Sequence, residues 1–161
     1  NTMKFGKYIL AICSLLIFQL YFPPIFLYDT VFTLDVFLIF LSINSIKNSN
    51  RFHAILLGFT LGFVQDIISQ VNLLGVFSMT KSISGYGLAT LCNYKALWSN
   101  KIKFLLLFLI YIIHFIIYYY LALSAEVDVL NILILVFIQS IITLIVFYLI
   151  DLFFYNNKLL K

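Results

Sequence analysis

Few side chains of this chain could do chemistry, and those that could stand inside apolar runs. Asp66 ends the stretch GFTLGFVQD, Lys81 lies in the next apolar run, and His114 and Gln139 lie in two later ones. A polar or charged group in hydrocarbon is costly, so we expect each to face a partner and to mark a packing or functional site. The spacing offers no nucleophile elbow, no phosphate-binding glycine loop and no pair of acid–base carboxylates. We therefore predict that the protein is not an enzyme.

The two cysteines give no sign of a metal site. Cys13 and Cys92 both lie in apolar runs, and neither belongs to a CxxC pair or a Cys/His cluster. Metal sites and disulfide frameworks need such groupings. The sequence predicts no metal, no disulfide and no cofactor, and it favours small core residues at both positions.

A stripe of small residues leads to the first of these polar groups. Gly58, Gly62 and Asp66 are four residues apart, so they fall on nearly one face of a helix, with Ser69 close to it. Small residues at this spacing let a neighbouring helix approach closely within a membrane. The stripe therefore predicts a helix-packing seam into which the carboxylate of Asp66 points.

Lys81 is the predicted partner of Asp66. The apolar run that contains Lys81 begins near position 73, about eight residues earlier, which is roughly 12 Å along a helix. A lysine side chain can extend toward the membrane surface, where Asp66 is expected. We consider two arrangements: an Asp66–Lys81 ion pair that joins two helices, or a lysine that reaches water alone beside an aspartate that caps a loop.

The other polar residues of the apolar runs give weaker signals. A single His or Gln in a helix bundle, here His114 and Gln139, most often makes a hydrogen bond between helices, with a proton relay or a ligand contact as the alternative. Asp35 opens an apolar run, where the helix dipole favours an acid in the first turn. Asp151 lies near the end of the last run and is interpreted as an interfacial acid.

The elements that must position these residues follow from composition. Of the 161 residues, 64% are hydrophobic and 10% are charged, against about 25% charged in soluble domains. A membrane span needs about 20 mostly apolar residues. Six runs qualify, and Pro23 and Pro24 end or kink the first. We predict one all-α integral-membrane domain over residues 1–161, with helices at about 8–27, 30–46, 52–69, 73–93, 102–123 and 129–155.

Basic residues predict how these helices cross the membrane. Positively charged loops stay on the cytoplasmic side. In a six-span arrangement all basic residues except Lys81 fall on one side, while the opposite loops carry Asp29, Glu126 and Asp128. Both termini are therefore predicted to be cytoplasmic, and anionic lipid headgroups suffice as partners for the net charge of +4. The nine residues are Lys4, Lys7, Lys47, Arg51, Lys95, Lys101, Lys103, Lys158 and Lys161.

The stretch from Asp35 to Gly87 resembles the rod shape-determining protein MreD family. That family has an aspartate opening an apolar helix, a basic turn, the pattern GxxxGxxxD, a short loop ending in Leu-Gly, and a Gly-Tyr about ten residues later. The chain departs from the pattern at Leu34, where the family usually has proline, and in the loop SQVNLLG, which lacks the usual glycines and proline. The matching residues are Asp35, Arg51, Gly58, Gly62, Asp66, Leu74, Gly75, Gly85 and Tyr86.

The resemblance implies a non-enzymatic inner-membrane scaffold of the cell-elongation complex, which helps to organise peptidoglycan synthesis and rod shape. It implies binding to the transmembrane helix and juxtamembrane part of MreC. Through MreC it implies indirect contact with the elongation transpeptidase, its glycosyltransferase and MreB. No nucleic acid is expected as a partner, because the net charge of +4 needs none to explain it. It also implies the fold of the S components of energy-coupling-factor transporters. The predicted seam comprises Gly58, Gly62, Asp66, Ser69, Gly75, Lys81, Gly85 and Tyr86, with Asp35 at the start of the second helix.

Two other functions are alternatives to the scaffold. A vitamin-binding S component would need an outward-facing cavity lined by the last three helices and long loops over it, and the predicted loops are short. An enzyme acting on lipids or wall precursors would need catalytic residues that the sequence does not offer. A single-pass coiled-coil partner would favour the scaffold, whereas an ATPase module with a bound vitamin would favour transport.

Overall fold

The protein is predominantly α-helical. The computed structural model describes residues 25–27, 30–32, 34–69, 74–122 and 129–155, together with the helical positions 14, 17 and 19. A short 3₁₀ turn, Lys95–Leu97, joins the third and fourth of the helices named here. These helices are α1 (Val36–Asn48), α2 (Arg51–Ser69), α3 (Val76–Asn93), α4 (Asn100–Ala122) and α5 (Val129–Tyr155).

Two short strands stand where the first two predicted helices were expected to end and begin. Strand β1 (Ile25–Leu27) pairs antiparallel with β2 (Thr30–Phe32), with Ile25 opposite Phe32. The prediction of helix up to residue 27 and again from residue 30 is therefore wrong at these positions. Pro23 and Pro24 precede β1 and cannot continue a helix, and the β-branched residues of this stretch favour strands. Most of the first predicted helix lies outside the described residues.

The starts of α1 and α3 are fixed by specific residues. Asp35 caps α1, because its Oδ1 accepts a hydrogen bond from the Leu38 amide at 3.0 Å. The Val36 amide donates to Gln19 Oε1 at 2.9 Å, which ties the first apolar run to this end of α1. Gly75 has a φ of +100°, a conformation that glycine adopts at little cost, and α3 begins directly after it. This turn is why α3 starts at residue 76 and not at 73.

Helices adjacent in the chain run antiparallel. The ring of Phe77, near the start of α3, stacks on Tyr118, near the end of α4, and the thiol of Cys92, near the end of α3, donates to the Ile46 carbonyl at 2.8 Å. Helix α1 therefore runs parallel to α3, which packs against α1, α2 and α4. The core includes the buried side chains Leu38, Leu61, Leu88, Tyr111, Phe115 and Phe147.

Three helices of the described part are long and apolar enough to cross a membrane: α2, α4 and α5. Helix α1 is a shorter apolar helix. Large apolar side chains cover the outward faces of α2 and α5, for example Phe59 and Phe137, each more than half exposed. By length and composition these helices suit a membrane protein, while six crossings and the S-component fold are still predictions.

The basic residues of the described helices and turns collect at one end of the bundle. We call this the basic end. Because neighbouring helices alternate in direction, the ends of α1 and α3 and the starts of α2 and α4 meet there. It carries Lys47, Arg51, Lys95, Lys101 and Lys103. Lys81, which lies in the second turn of α3 at the opposite end, is the exception among the described basic residues.

Candidate functional site

The glycine stripe of α2 lies directly against the backbone of α3. A Cβ atom at Gly58 would stand 2.4 Å from the Lys81 carbonyl oxygen, and one at Gly62 would stand 2.3 Å from the Phe77 carbonyl oxygen. From the other side, a Cβ at Gly85 would stand 2.5 Å from the Ala54 carbonyl oxygen. Only glycine allows this approach, so the seam between α2 and α3 depends on all three positions.

Asp66 closes this seam at the start of α3. Its Oδ1 accepts from the Phe77 amide at 2.9 Å, and its Oδ2 accepts from the Ser78 amide at 3.0 Å and from the Ser78 hydroxyl at 2.6 Å. The first amides of a helix have no partner within it and carry partial positive charge. The carboxylate of Asp66, 1% exposed, therefore caps α3 from a neighbouring helix.

Lys81 pairs with Asp35 and not with Asp66, which corrects the predicted pair. The Lys81 ammonium contacts Asp35 Oδ2, and the Lys81 side chain is fully buried. The prediction failed because it assumed that the lysine extends outward to Asp66, the acid of the preceding helix. In the structure α1 runs parallel to α3, which places the residue before α1 beside the second turn of α3.

His114 of α4 completes a buried ionic cluster, defined as Asp35, Lys81, His114 and Ser84. His114 Nε2 lies 3.6 Å from Asp35 Oδ2, and His114 Nδ1 lies 3.0 Å from the Ser84 hydroxyl. Each of the four residues is at most 4% exposed. The cluster joins α1, α3 and α4 in the half of the bundle away from the basic end.

Charge balance explains how such a cluster is tolerated. An unpaired ammonium or carboxylate in a low-dielectric interior is very costly, whereas a paired and hydrogen-bonded one is not. Asp35 Oδ1 is occupied by the Leu38 amide and Oδ2 faces Lys81 and His114. The Lys81 ammonium also lies 4.8 Å from the centre of the Phe77 ring, within cation–π range. The arrangement is suited to holding helices together.

The remaining residues of the predicted seam lie outside its contacts. The Ser69 hydroxyl donates to the Gln65 carbonyl of its own helix at 2.7 Å. Gly75 has no atom near its missing Cβ and serves the turn before α3. Tyr86 is 48% exposed, and its ring lies 5.8 Å from the Arg51 guanidinium near the basic end. We therefore separate these three from the packing seam.

Two hydrogen bonds between helices agree with the sequence prediction, whereas two serine residues of the site were not predicted. The interhelical hydrogen bonds expected of His114 and Gln139 are present: His114 meets Ser84, and Gln139 accepts from the Tyr119 hydroxyl. Ser78 and Ser84 were missed, although the polar run SMTKSIS around Lys81 is a signal that could have drawn attention to them. Among the described residues there is no group of three side chains suited to hold a metal ion.

Comparison with known proteins finds no matching family model, no matching curated protein and no matching solved structure.

Proposed function

We propose that the chain is a non-enzymatic scaffold of the cell-elongation complex in the inner membrane, as its resemblance to the MreD family implies. In this proposal the chain crosses the membrane six times with both termini in the cytoplasm. It binds the transmembrane helix of a single-pass coiled-coil partner of the MreC type. Fixed helix packing then sets the position and number of the partners that synthesise the wall.

One observation carries the proposal: the buried polar groups near the end of α2 and the starts of α1 and α3 are engaged in contacts between helices. Asp66 binds the start of α3, Lys81 binds Asp35, and His114 lies between Asp35 and Ser84. A transport or catalytic site would leave such groups facing a substrate cavity. Here they tie neighbouring helices to one another, which suits a rigid platform.

The partner would meet a surface other than the glycine stripe. Gly58 and Gly62 are covered by α3, so the stripe is not available to a second chain. The outward face of α2 carries Phe52, Phe59 and Phe63, each more than half exposed, and the last two rings are stacked at 6.2 Å between centroids. Such an aromatic stripe offers a transmembrane helix a large contact area.

The basic end supports the proposed orientation. Lys47, Arg51, Lys95 and Lys101 gather there, and positively charged ends stay cytoplasmic. The ionic cluster then lies in the outer half of the membrane, because Lys81 is five residues into α3, or about 8 Å.

Site-specific photo-crosslinking in native membranes tests the scaffold. A photoreactive residue at Phe59 is expected to capture a single-pass protein with a periplasmic coiled coil, and the same probe at Leu133 on α5, equally exposed, serves as the matched control. Co-purification of an ATPase module together with a tightly held vitamin would contradict the scaffold and favour a transporter component.

A further inference from the structure

An apolar groove opens between α4 and α5 on the outside of the bundle. It has a volume of about 320 Å³ and is lined by Phe104, Leu144, Ile145 and Tyr148. The rings of Phe104 and Tyr148 meet edge to face, with centroids 6.0 Å apart. Ile145 is 51% exposed and Tyr148 is 43% exposed. The groove therefore faces the surroundings of the bundle and is not part of its core.

The groove lies close to the basic end. Phe104 is four residues from the start of α4, and Tyr148 is seven residues from the end of α5. At 1.5 Å per residue these distances are about 6 Å and 10 Å along the helices. In a membrane this depth corresponds to the part of the acyl chains of one leaflet that is nearest to the headgroups.

Two cations stand at the headgroup side of the groove. Lys101 is exposed and lies three residues before Phe104, so it projects from the same face of α4 one turn nearer the basic end. Tyr155 lies seven residues after Tyr148 on the same face of α5, and its hydroxyl accepts from the Lys47 ammonium at 2.9 Å. The mouth of the groove is therefore positively charged.

The acid nearest to this mouth along α5 does not cancel that charge. Asp151 lies between Tyr148 and Tyr155 in the sequence, but it is 2% exposed and faces the interior. Lys103 of α4 is likewise buried, at 4% exposure. These two buried charges are of opposite sign, so Lys47 and Lys101 determine the charge that a ligand at the mouth would meet.

We propose that this groove binds an anionic glycerophospholipid of the leaflet at the basic end. One acyl chain lies between α4 and α5 against Ile145 and Leu144, and the phosphate faces Lys101 and Lys47. Basic sites between helices on the cytoplasmic side recognise anionic headgroups in this way. A groove lined by four side chains near one end of two helices is large enough for one acyl chain. A transmembrane helix would need a ridge of contacts that continues over several turns. Lipid binding here requires only that α4 and α5 cross a membrane, so this proposal does not depend on the proposed scaffold function.

Native mass spectrometry of the purified full chain tests headgroup selection. The protein is equilibrated with equal amounts of phosphatidylglycerol and phosphatidylcholine that carry the same acyl chains. We expect the wild type to retain phosphatidylglycerol preferentially, and Lys101→Gln to reduce that preference about fivefold, since one lysine near an anionic surface contributes about that factor. Lys95→Gln removes the same charge from an exposed position of the 3₁₀ turn and should leave the preference unchanged. An equal loss in both variants would overturn the site.

A second pair of variants tests the groove itself. Ile145→Trp fills the groove and should lower retention of both lipids, while Leu133→Trp, at an exposed position of α5 three turns away, should not. A photoreactive residue at Ile145 in an otherwise unchanged chain gives the same answer if the tryptophan variant does not fold. An adduct of phospholipid mass supports the site. A protein adduct or equal retention in both tryptophan variants contradicts it.

Discussion

At the scale of single residues, two buried acids, Asp35 and Asp66, cap helix starts and at the same time connect neighbouring helices. Asp35 caps α1 with one oxygen and holds Lys81 of α3 with the other. Asp66, which belongs to α2, caps α3. Each carboxylate therefore fixes the start of one helix relative to another. The charge of these acids is useful because the start of a helix is electropositive.

Substitution of Asp66 should loosen the contact between α2 and α3. Asp66→Ala removes three hydrogen bonds and leaves the Phe77 and Ser78 amides buried without a partner, so we expect a loss of about 3 kcal/mol or more in the free energy of unfolding. Ser78→Ala removes only the hydroxyl contact and should cost about 1 kcal/mol. Unfolding in detergent, followed by circular dichroism, measures both.

Exchanging the charges of Asp66 and Lys81 tests whether these two side chains interact with each other. The chain with Asp66→Lys and Lys81→Asp should be no more stable than either single variant, because the two side chains serve different partners. Rescue by the exchange would show that Asp66 and Lys81 interact directly.

At the scale of elements, the contact between α2 and α3 depends on backbone meeting backbone. The three glycines of the seam would each place a Cβ within 2.5 Å of a carbonyl oxygen of the opposite helix. A side chain can rotate away from such a clash, but a backbone carbonyl inside a helix cannot. The two helices must therefore separate to accept any larger residue.

Replacing single glycines of α2 and α3 with alanine should distinguish the effect of helix propensity on stability from the effect of packing. Gly62→Ala should destabilise the protein by about 1–3 kcal/mol through overpacking, although alanine is the better helix former. Gly87→Ala is the matched control, because the atoms nearest to its Cβ would belong to the flexible side chain of Ile110, at 3.3 Å, and not to a backbone. Equal melting temperatures of the two variants would show that the close approach at Gly62 is unimportant.

The sequence predicted those elements whose signal is local. The span of α5, residues 129–155, agrees with the apolar run, and the GxxxG spacing of Gly58 and Gly62 marks a face by periodicity alone. The strands β1 and β2 were missed, because an apolar run does not distinguish a short strand from a helix turn. The Asp35–Lys81 pair was missed because its members lie 46 residues apart and meet only once α1 is placed parallel to α3.

At the scale of the whole molecule, charge is separated along the axis of the bundle. The basic end carries exposed cations such as Lys95 and Lys101, whereas the ionic cluster lies toward the other end, paired and buried. In the proposed orientation the positively charged end lies on the cytoplasmic side. With that orientation, the proposed lipid site would lie in the cytoplasmic leaflet.

Cysteine accessibility in intact cells should report this orientation. With Cys13 and Cys92 replaced by alanine, a cysteine at Lys95 is expected to resist a membrane-impermeant maleimide, and one at Leu74, which is 79% exposed at the opposite end, is expected to react. Labelling at position 95 and protection at position 74 would show that the orientation is the opposite of the proposed one.

A double-mutant cycle tests most directly whether the pair of Asp35 and Lys81 joins α1 and α3 inside the bundle. Asp35→Asn keeps an N-cap but removes the charge, and Lys81→Met keeps the length of the side chain. Either single change leaves an uncompensated buried charge and should cost about 3–5 kcal/mol of unfolding free energy. The double variant should recover most of that loss, whereas losses that simply add would show that the two residues do not hold the helices together.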